Sequence, residues 1–174
     1  MEHFYEPITG MFTFPNLYRE MVQRFPSGST FVEIGVFYGR SFAYLGVEMV
    51  NAGKEFNLIA IDNYGFVSEQ DVIKNLSPLA GKFKTVCGNS HNVADNYPDK
   101  SVDFVFIDAN HLEHAIRADI AAWLPKIKSG GVLAGHDYEM PDAVPHLWGV
   151  AKVVDELFGD NKRLTEGCWV VEVP

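Results

Sequence analysis

The stretch Phe31-Val-Glu-Ile-Gly-Val-Phe-Tyr-Gly-Arg-Ser41 starts as an apolar run and ends in a glycine-flanked turn. It reads as a buried strand over about Thr30–Ile34 that stops at Gly35 and opens a helix near Ser41. An acid sits inside the pattern, as Glu33-x-Gly35-x-x-x-Gly39. A second acid, Asp62, closes the next apolar run, Phe56-Asn-Leu-Ile-Ala-Ile61. Strand, glycine turn, helix, strand and acid is the layout of a mononucleotide-binding βαβ half. Glycine lets the backbone approach a ligand closely, and an acid one strand later can accept two hydrogen bonds from ribose hydroxyls. The layout predicts an adenosine-containing cofactor. A turn with no ligand is the plainer alternative, and Asp62 taken alone would be a turn-initiating acid. Gly-x-Gly-x-x-Gly is absent after the strand, which argues against a nicotinamide dehydrogenase.

Outward from this unit the pattern alternates. Phe14, Leu17, Tyr18, Met21, Val22 and Phe25 recur at helical spacing. A helix from about Ser41 to Asn51 is closed by Gly53. A weak helix is expected near 68–76, a third strand over Phe83–Cys87 and a short helix after Gly88. Val102–Ile107 is the fourth strand, followed by a helix whose apolar face runs from Leu112 to Leu124. Ser129-Gly-Gly131 leads into a fifth strand, Val132–Gly135, and a helix is expected over about Val144–Phe158. Arg163–Thr165 and Cys168–Val173 finish as a hairpin around Glu166-Gly167. Strands alternating with helices predict an α/β fold, a mostly parallel sheet covered on both faces. The closing pair suggests one antiparallel strand.

In such sheets ligands sit beyond the carboxyl ends of the strands. Polar and titratable groups gather there: Glu33, Gly35 and Gly39, then Asp62, then Gly88-Asn89-Ser90, then Asp108 and His111, then His136-Asp137. Asn89 and Ser90 could meet an adenine ring, or Asn89 could cap the helix behind it. Two carboxylates at adjacent strand ends, Asp108 and Asp137, suit Mg²⁺. His136 could complete the set, and its nitrogen would admit Mn²⁺ or Zn²⁺. His111, one turn from Asp108, could accept a proton at neutral pH. The plainer alternative has Asp108 capping a helix, Asp137 in a turn and both histidines on the surface or in packing. Tyr64, Phe66, Tyr138 and Trp148 either line a ligand or pack. Arg40 could meet a cofactor carboxylate or a neighbouring acid. Pro141, Pro145 and the loop between them could wall a substrate. His91, His114 and His146 have no partner at metal spacing, and Lys126 and Lys128 read as a solvated helix end.

At 174 residues the chain is expected to form one domain, a lead-in and helix over 1–28 and a core over 29–174. Its 47% hydrophobic and 21% charged composition is that of a soluble globular protein. A net charge of −9 argues against nucleic-acid and membrane partners and leaves room for a cation. Cys87 and Cys168 lie in apolar strand-like runs, where cysteine acts as a small hydrophobe, and form no disulfide framework or zinc spacing. Without a leader pattern or a long apolar span, a cytoplasmic location is expected.

Taken with Phe104-Val-Phe-Ile-Asp-Ala-Asn-His111 and Trp123-Leu-Pro-Lys-Ile-Lys-Ser-Gly-Gly-Val-Leu-Ala-Gly-His-Asp137, the opening stretch resembles the class I S-adenosylmethionine-dependent methyltransferases. The resemblance covers about residues 28 to 158. Within that superfamily the chain is most similar to the metal-dependent sugar O-methyltransferases of the macrolide-sugar and rhamnosyl type. It also resembles cephalosporin-hydroxylase-like proteins. The resemblance implies a Rossmann-like fold with a seven-stranded sheet, S-adenosylmethionine as cofactor and Mg²⁺ (Mn²⁺ as the alternative) as metal. It implies a cofactor set of Glu33, Gly35, Phe37, Gly39, Ser41, Asp62, Asn63, Asn89, Ser90 and Asp108. Glu33 and Gly35 would face the methionine part, Asp62 the ribose and Asn89-Ser90 the adenine.

The resemblance further implies Asp108, His136 and Asp137 as metal ligands and His111 as general base beside Asp108. The acceptor would be a small-molecule hydroxyl, on a sugar or glycoside. Two departures stand out. Phe37 takes the place of the glycine of the commonest turn, and His136 that of the first acid of the pair. The macrolide enzymes carry additional N-terminal segments, so a homo-oligomer whose partner subunit covers the substrate is expected here. The rivals are a catechol-type O-methyltransferase, a metal-dependent hydrolase built on Asp108, His136 and Asp137, and a cofactor-binding subunit without turnover.

Overall fold

The computed structural model of the protein describes residues 1–139 and 149–174. Pro141, Pro145, His146, Trp148 and the expected helix start at Val144 lie outside the described residues. The elements run α1 (Pro15–Arg24), β1 (Thr30–Ile34), α2 (Arg40–Asn51), β2 (Asn57–Asp62), α3 (Glu69–Asn75), β3 (Phe83–Cys87), α4 (Ser90–Ala94), β4 (Val102–Ile107), α5 (Glu113–Trp123), β5 (Ile127–Gly135), α6 (Val150–Phe158), β6 (Arg163–Thr165) and β7 (Cys168–Glu172). They form a seven-stranded sheet in the order β3-β2-β1-β4-β5-β7-β6. Only β7 opposes its neighbours, pairing antiparallel with both β5 and β6. The sheet is mostly parallel, as the alternation predicted, and the seven-stranded Rossmann-like fold is the one the resemblance implied.

Why the strands are apolar at almost every position follows from the two layers. Phe31, Phe104, Phe106, Val132, Ala134 and Val170 face α1 and α2, and meet Leu17, Tyr18, Met21, Phe42, Leu45 and Met49. Val32, Ile34, Val105, Ile107, Leu133 and Trp169 face α5 and α6, and meet Ile116, Ile120, Trp123, Val150, Val153 and Val154. A strand covered on both faces cannot alternate polar with apolar residues. Glu33 is the exception, a buried acid on the α1–α2 face of β1.

Three local readings change. β5 begins at Ile127, not Val132, because the Ser129-Gly-Gly131 segment is an irregularity inside the strand. Val102 pairs with Ile127 and Phe104 with Val132, so two steps along β4 match five along β5. Gly131 makes that crowding possible: a Cβ there would lie 2.6 Å from Ile127 Cγ2 and 2.9 Å from the Asp103 carbonyl oxygen. Cys168 is buried as expected, but Cys87 is exposed, since it ends an edge strand. Lys128 is not part of a solvated helix end, since it lies inside β5, and Lys126 and Lys128 pair with Asp99 and Asp103. No described helix is long and apolar enough to cross a membrane.

Helix α1 has no side-chain cap of its own, and Phe14 stands at its N-cap. Glu166, in the turn between β6 and β7, supplies one from the far end of the chain. Its carboxylate accepts the Leu17 N–H at 3.0 Å and the Asn16 side-chain amide at 2.8 Å. An acid at this end of a helix also complements the helix dipole. The contact fixes the segment before α1 against the end of the sheet that carries the titratable groups.

Candidate active site

The sheet ladder continues past the strand ends and aligns the residues that follow them. Gly35 N–H donates to the Ile61 carbonyl at 2.8 Å, Asp108 N–H to Ile34 at 2.8 Å and His136 N–H to Ile107 at 3.1 Å. The turn after β1 thereby lies between Asp62 and Asp108. Gly35 has φ +84°, and a Cβ on it would overlap the Asp108 carbonyl oxygen and lie 2.7 Å from Ala109 Cα. Glycine here allows β1 and β4 to close against each other at their ends.

Phe37 adopts φ +50°, the region for which glycine is the usual residue, and is 44% exposed. Its N–H donates to Asp62 Oδ2 at 3.1 Å, while Asp62 Oδ1 accepts the Tyr64 N–H at 2.8 Å. That bond steadies a backbone that would otherwise cost about 1–3 kcal/mol. A carboxylate has about four acceptor positions, so two remain on Asp62. Two free acceptor positions match the two hydroxyl donors of a ribose diol. Asp62→Ala is expected to weaken S-adenosylhomocysteine binding by at least tenfold, since a hydrogen bond to a charged group contributes about 1.5–3 kcal/mol. Calorimetric titration reads this directly, and unchanged affinity would remove Asp62 from the ribose role.

Glu33 lies beneath the turn, 1% exposed. Tyr18 donates to one of its oxygens at 2.6 Å and Ser41 to the other at 2.5 Å. Burial pushes its pKa up to about 8 against the opposing pull of both hydroxyls. The folded state therefore favours protonated Glu33, a contribution fully present below the ordinary value of 4.5 and lost as pH rises through about 8. Glu33→Gln is expected to remove that slope. Its melting temperature should gain on the wild type between pH 6 and 9, and parallel curves would count against a buried proton.

The remaining cofactor candidates spread along the same edge. Asn63 Oδ1 accepts the Gly65 N–H at 2.8 Å within its own turn. Gly88 N–H donates to the Asp62 carbonyl at 2.9 Å, which brings Asn89 and Ser90 next to β2. Asn89 is exposed at the start of α4 and makes no side-chain cap bond. Ser90 accepts from Trp123 Nε1 at 2.7 Å and so ties α4 to α5. Tyr64 is half-buried against the core, whereas Phe66 is 93% exposed. Among the described residues Arg40 meets no acid: it donates to the Gly10 carbonyl at 2.7 Å. Tyr138 donates to Asp155 at 2.6 Å.

Asp108, His111 and Asp137 come together at the ends of β4 and β5. Each offers one ligand atom, and these atoms all lie within 4.8 Å of one another. His111 Nε2 is 2.7 Å from Asp137 Oδ2 and 3.8 Å from Asp108 Oδ1. Asp108 does not cap α5; Asn110 accepts the Leu112 N–H instead, at 3.0 Å. His136 stands outside the group, with Nδ1 3.2 Å from Asp137 Oδ1 and Nε2 3.0 Å from Thr13 Oγ1. Burial disfavours a charged His111, but the two facing carboxylates outweigh it and raise its pKa to about 9. Burial likewise opposes charge on Asp137, and the two imidazoles prevail and hold it well below the usual carboxylate range. Two hard oxygen donors with one imidazole suit Mg²⁺ or Mn²⁺. A cleft at the opposite ends of β1–β3, lined by Thr30, Phe56, Asn57, Lys82 and Lys84, carries no histidine and no acid pair among the described residues.

Residues 32–138 match a family model described as a methyltransferase domain. The chain belongs to this methyltransferase domain family. The match spans the turn after β1, Asp62 and the whole Asp108–Asp137 group. An uncharacterised protein, y4gI, of Sinorhizobium fredii is 35% identical over 136 residues, which are 72% of this chain. The chain spans 14% of the length of that curated relative. Among solved structures, the O-methyltransferase NovP superposes with a TM-score of 0.70 at 15% identity, over 91% of this chain and 78% of its own. MycE, a methyltransferase of the mycinamycin biosynthetic pathway solved with Mg and SAH, superposes with a TM-score of 0.61 at 16% identity, over 91% of this chain and 48% of its own. The methyltransferase domain thus shares its Rossmann-like fold with these solved methyltransferases.

Tyr18, Thr13 and Phe14 are the site neighbours that sequence reasoning missed. Tyr18 and Phe14 read as members of an apolar helical stripe, and nothing in the local pattern marks their contacts with Glu33 and His136.

Proposed function

We propose that this domain moves the methyl group of S-adenosylmethionine onto a hydroxyl oxygen of a small molecule, a sugar or glycoside, with His111 as base and a divalent cation on Asp108 and Asp137. The observation that carries the reading is the convergence of two carboxylates and an imidazole beside the glycine turn. Mg and SAH in the MycE structure support it. When bound, the sulfonium cofactor supplies an electrophilic methyl carbon and the cation supplies positive charge that acidifies a hydroxyl. Asp62 and the Gly35–Gly39 turn hold the nucleoside side of the site. Asp108 and Asp137 orient the acceptor edge. His111 takes the hydroxyl proton as the oxygen–methyl bond forms and the carbon–sulfur bond breaks toward sulfur. Asp137, at 2.7 Å, stabilises the resulting imidazolium. Much of the rate comes from holding acceptor and methyl in line. The net charge of −9 favours a neutral or cationic small acceptor over nucleic acid.

The test is calorimetric titration with S-adenosylhomocysteine, with and without Mg²⁺, followed by labelled-methyl assays on sugars and catechols. Micromolar binding and methylation of a glycoside are expected. Turnover confined to catechols would replace the acceptor class. Binding without turnover on any acceptor would leave a cofactor-binding subunit. Absence of binding with phosphoester cleavage would favour the hydrolase reading.

A further inference from the structure

Asp137 is 7% exposed and sits at φ +61°, a left-handed backbone that few residues other than glycine adopt. Each of its oxygens faces a different imidazole. Oδ2 meets His111 Nε2 at 2.7 Å, and Oδ1 meets His136 Nδ1 at 3.2 Å. A carboxylate anchored at one oxygen can still swing about its terminal torsion, whereas one held at both cannot. The His136 ring is itself fixed. Its Nε2 is 3.0 Å from Thr13 Oγ1, 123 positions earlier in the chain, and the ring of buried Phe14 packs with its centroid 4.9 Å away. Just behind Thr13 and Phe14 the first turn of α1 is anchored by Glu166, which accepts from Asn16 and Leu17. With Nδ1 on Asp137 and Nε2 on Thr13, the ring would have to give up one of these bonds to ligate a cation.

We propose that His136 is a positioning residue, holding the Asp137 carboxylate turned toward His111, and that Thr13 of the segment ahead of α1 holds His136 in place. The consequence for cation binding rests on the methyl-transfer reading; the hydrogen-bond chain itself does not. A carboxylate accepts only from a nitrogen that carries a hydrogen, so His136 must hold one on Nδ1, with Nε2 toward the threonine hydroxyl. Partners behind a ligand typically change metal affinity by about 10–100-fold when removed.

Two measurements on the whole chain test this. Imidazole ¹⁵N NMR of the metal-free protein should show a hydrogen on His136 Nδ1, and Thr13→Val should alter the His136 signals. Mn²⁺ titration followed by electron paramagnetic resonance should show His136→Phe weakening binding by about 10–100-fold with S-adenosylhomocysteine affinity unchanged. His136→Asn should stay within about threefold of wild type, because its amide N–H can stand where Nδ1 stands. A bare Nδ1, equal loss in the Asn and Phe variants, or wild-type binding in the Phe variant would each overturn the proposal. Should the wild type bind S-adenosylhomocysteine but no Mn²⁺, the metal part of the proposed function fails. The NMR result, and whether His136→Phe moves the His111 ring signals, then decides the positioning role alone.

Discussion

Replacing His111 with alanine is expected to lower kcat by about 10²–10⁴, the usual worth of a general base, while S-adenosylhomocysteine affinity stays within about twofold. The side chain reaches the acceptor edge through Asp108 and Asp137, on the far side of the turn from Asp62. Removing it therefore takes away the proton acceptor and leaves the nucleoside side intact. Methyl-transfer rates and calorimetry on the same variant give the split, and a comparable loss of cofactor affinity would end the assignment as base. The metal-free protein adds a pH signature. A His111 pKa near 9 means that the imidazolium dominates at neutral pH. Its stabilising contribution is fully present below the ordinary histidine value of 6.5 and disappears as pH rises through about 9. Asp137→Asn is expected to lower the His111 pKa and flatten melting temperature over that window. Mg²⁺ is expected to lower it too, because a dication on both carboxylates takes up the charge that raises it. A His111 resonance titrating at its ordinary value in the metal-free wild type would contradict both expectations.

Gly35→Ala is expected to cost about 3–5 kcal/mol, from left-handed strain together with overpacking. For a chain of this size that lowers the melting temperature by roughly 10 °C. The penalty cannot relax through a side chain, because the neighbours of the added methyl are the Asp108 carbonyl and Ala109 Cα, both backbone. Any accommodation pushes β4 away from β1 and carries the Asp108 carboxylate with it. Thermal unfolding and Mn²⁺ affinity should therefore fall together. A variant that keeps wild-type stability would show that the turn has slack the structure does not contain.

Much of the architecture was legible because its signals are local. The Glu33-x-Gly35-x-x-x-Gly39 turn, Asp62 at the end of an apolar run, and Asp108 and Asp137 at later strand ends are each readable within a dozen residues. Parallel strands put all their carboxyl ends at one edge, so reading strand by strand gathered the acids and histidines correctly. The start of β5 was misplaced because Gly130 and Gly131 look like a loop by composition. Only their register against β4 shows the irregular strand.

By itself the sequence determined the fold class, the edge of the sheet where the titratable groups gather, and the residues standing there, since periodicity and turn chemistry act over short spans of chain. The tertiary structure alone decided who bonds whom at that edge. Glu33 is engaged by Tyr18 and Ser41, Asp137 by His111 and His136, and His136 by Thr13. The physical reason is range. A hydrogen bond constrains atoms about 3 Å apart whatever their separation along the chain. Tyr18, Phe14 and Thr13 reach the site only because an apolar helix must dock on the sheet, and that docking is a property of the whole core.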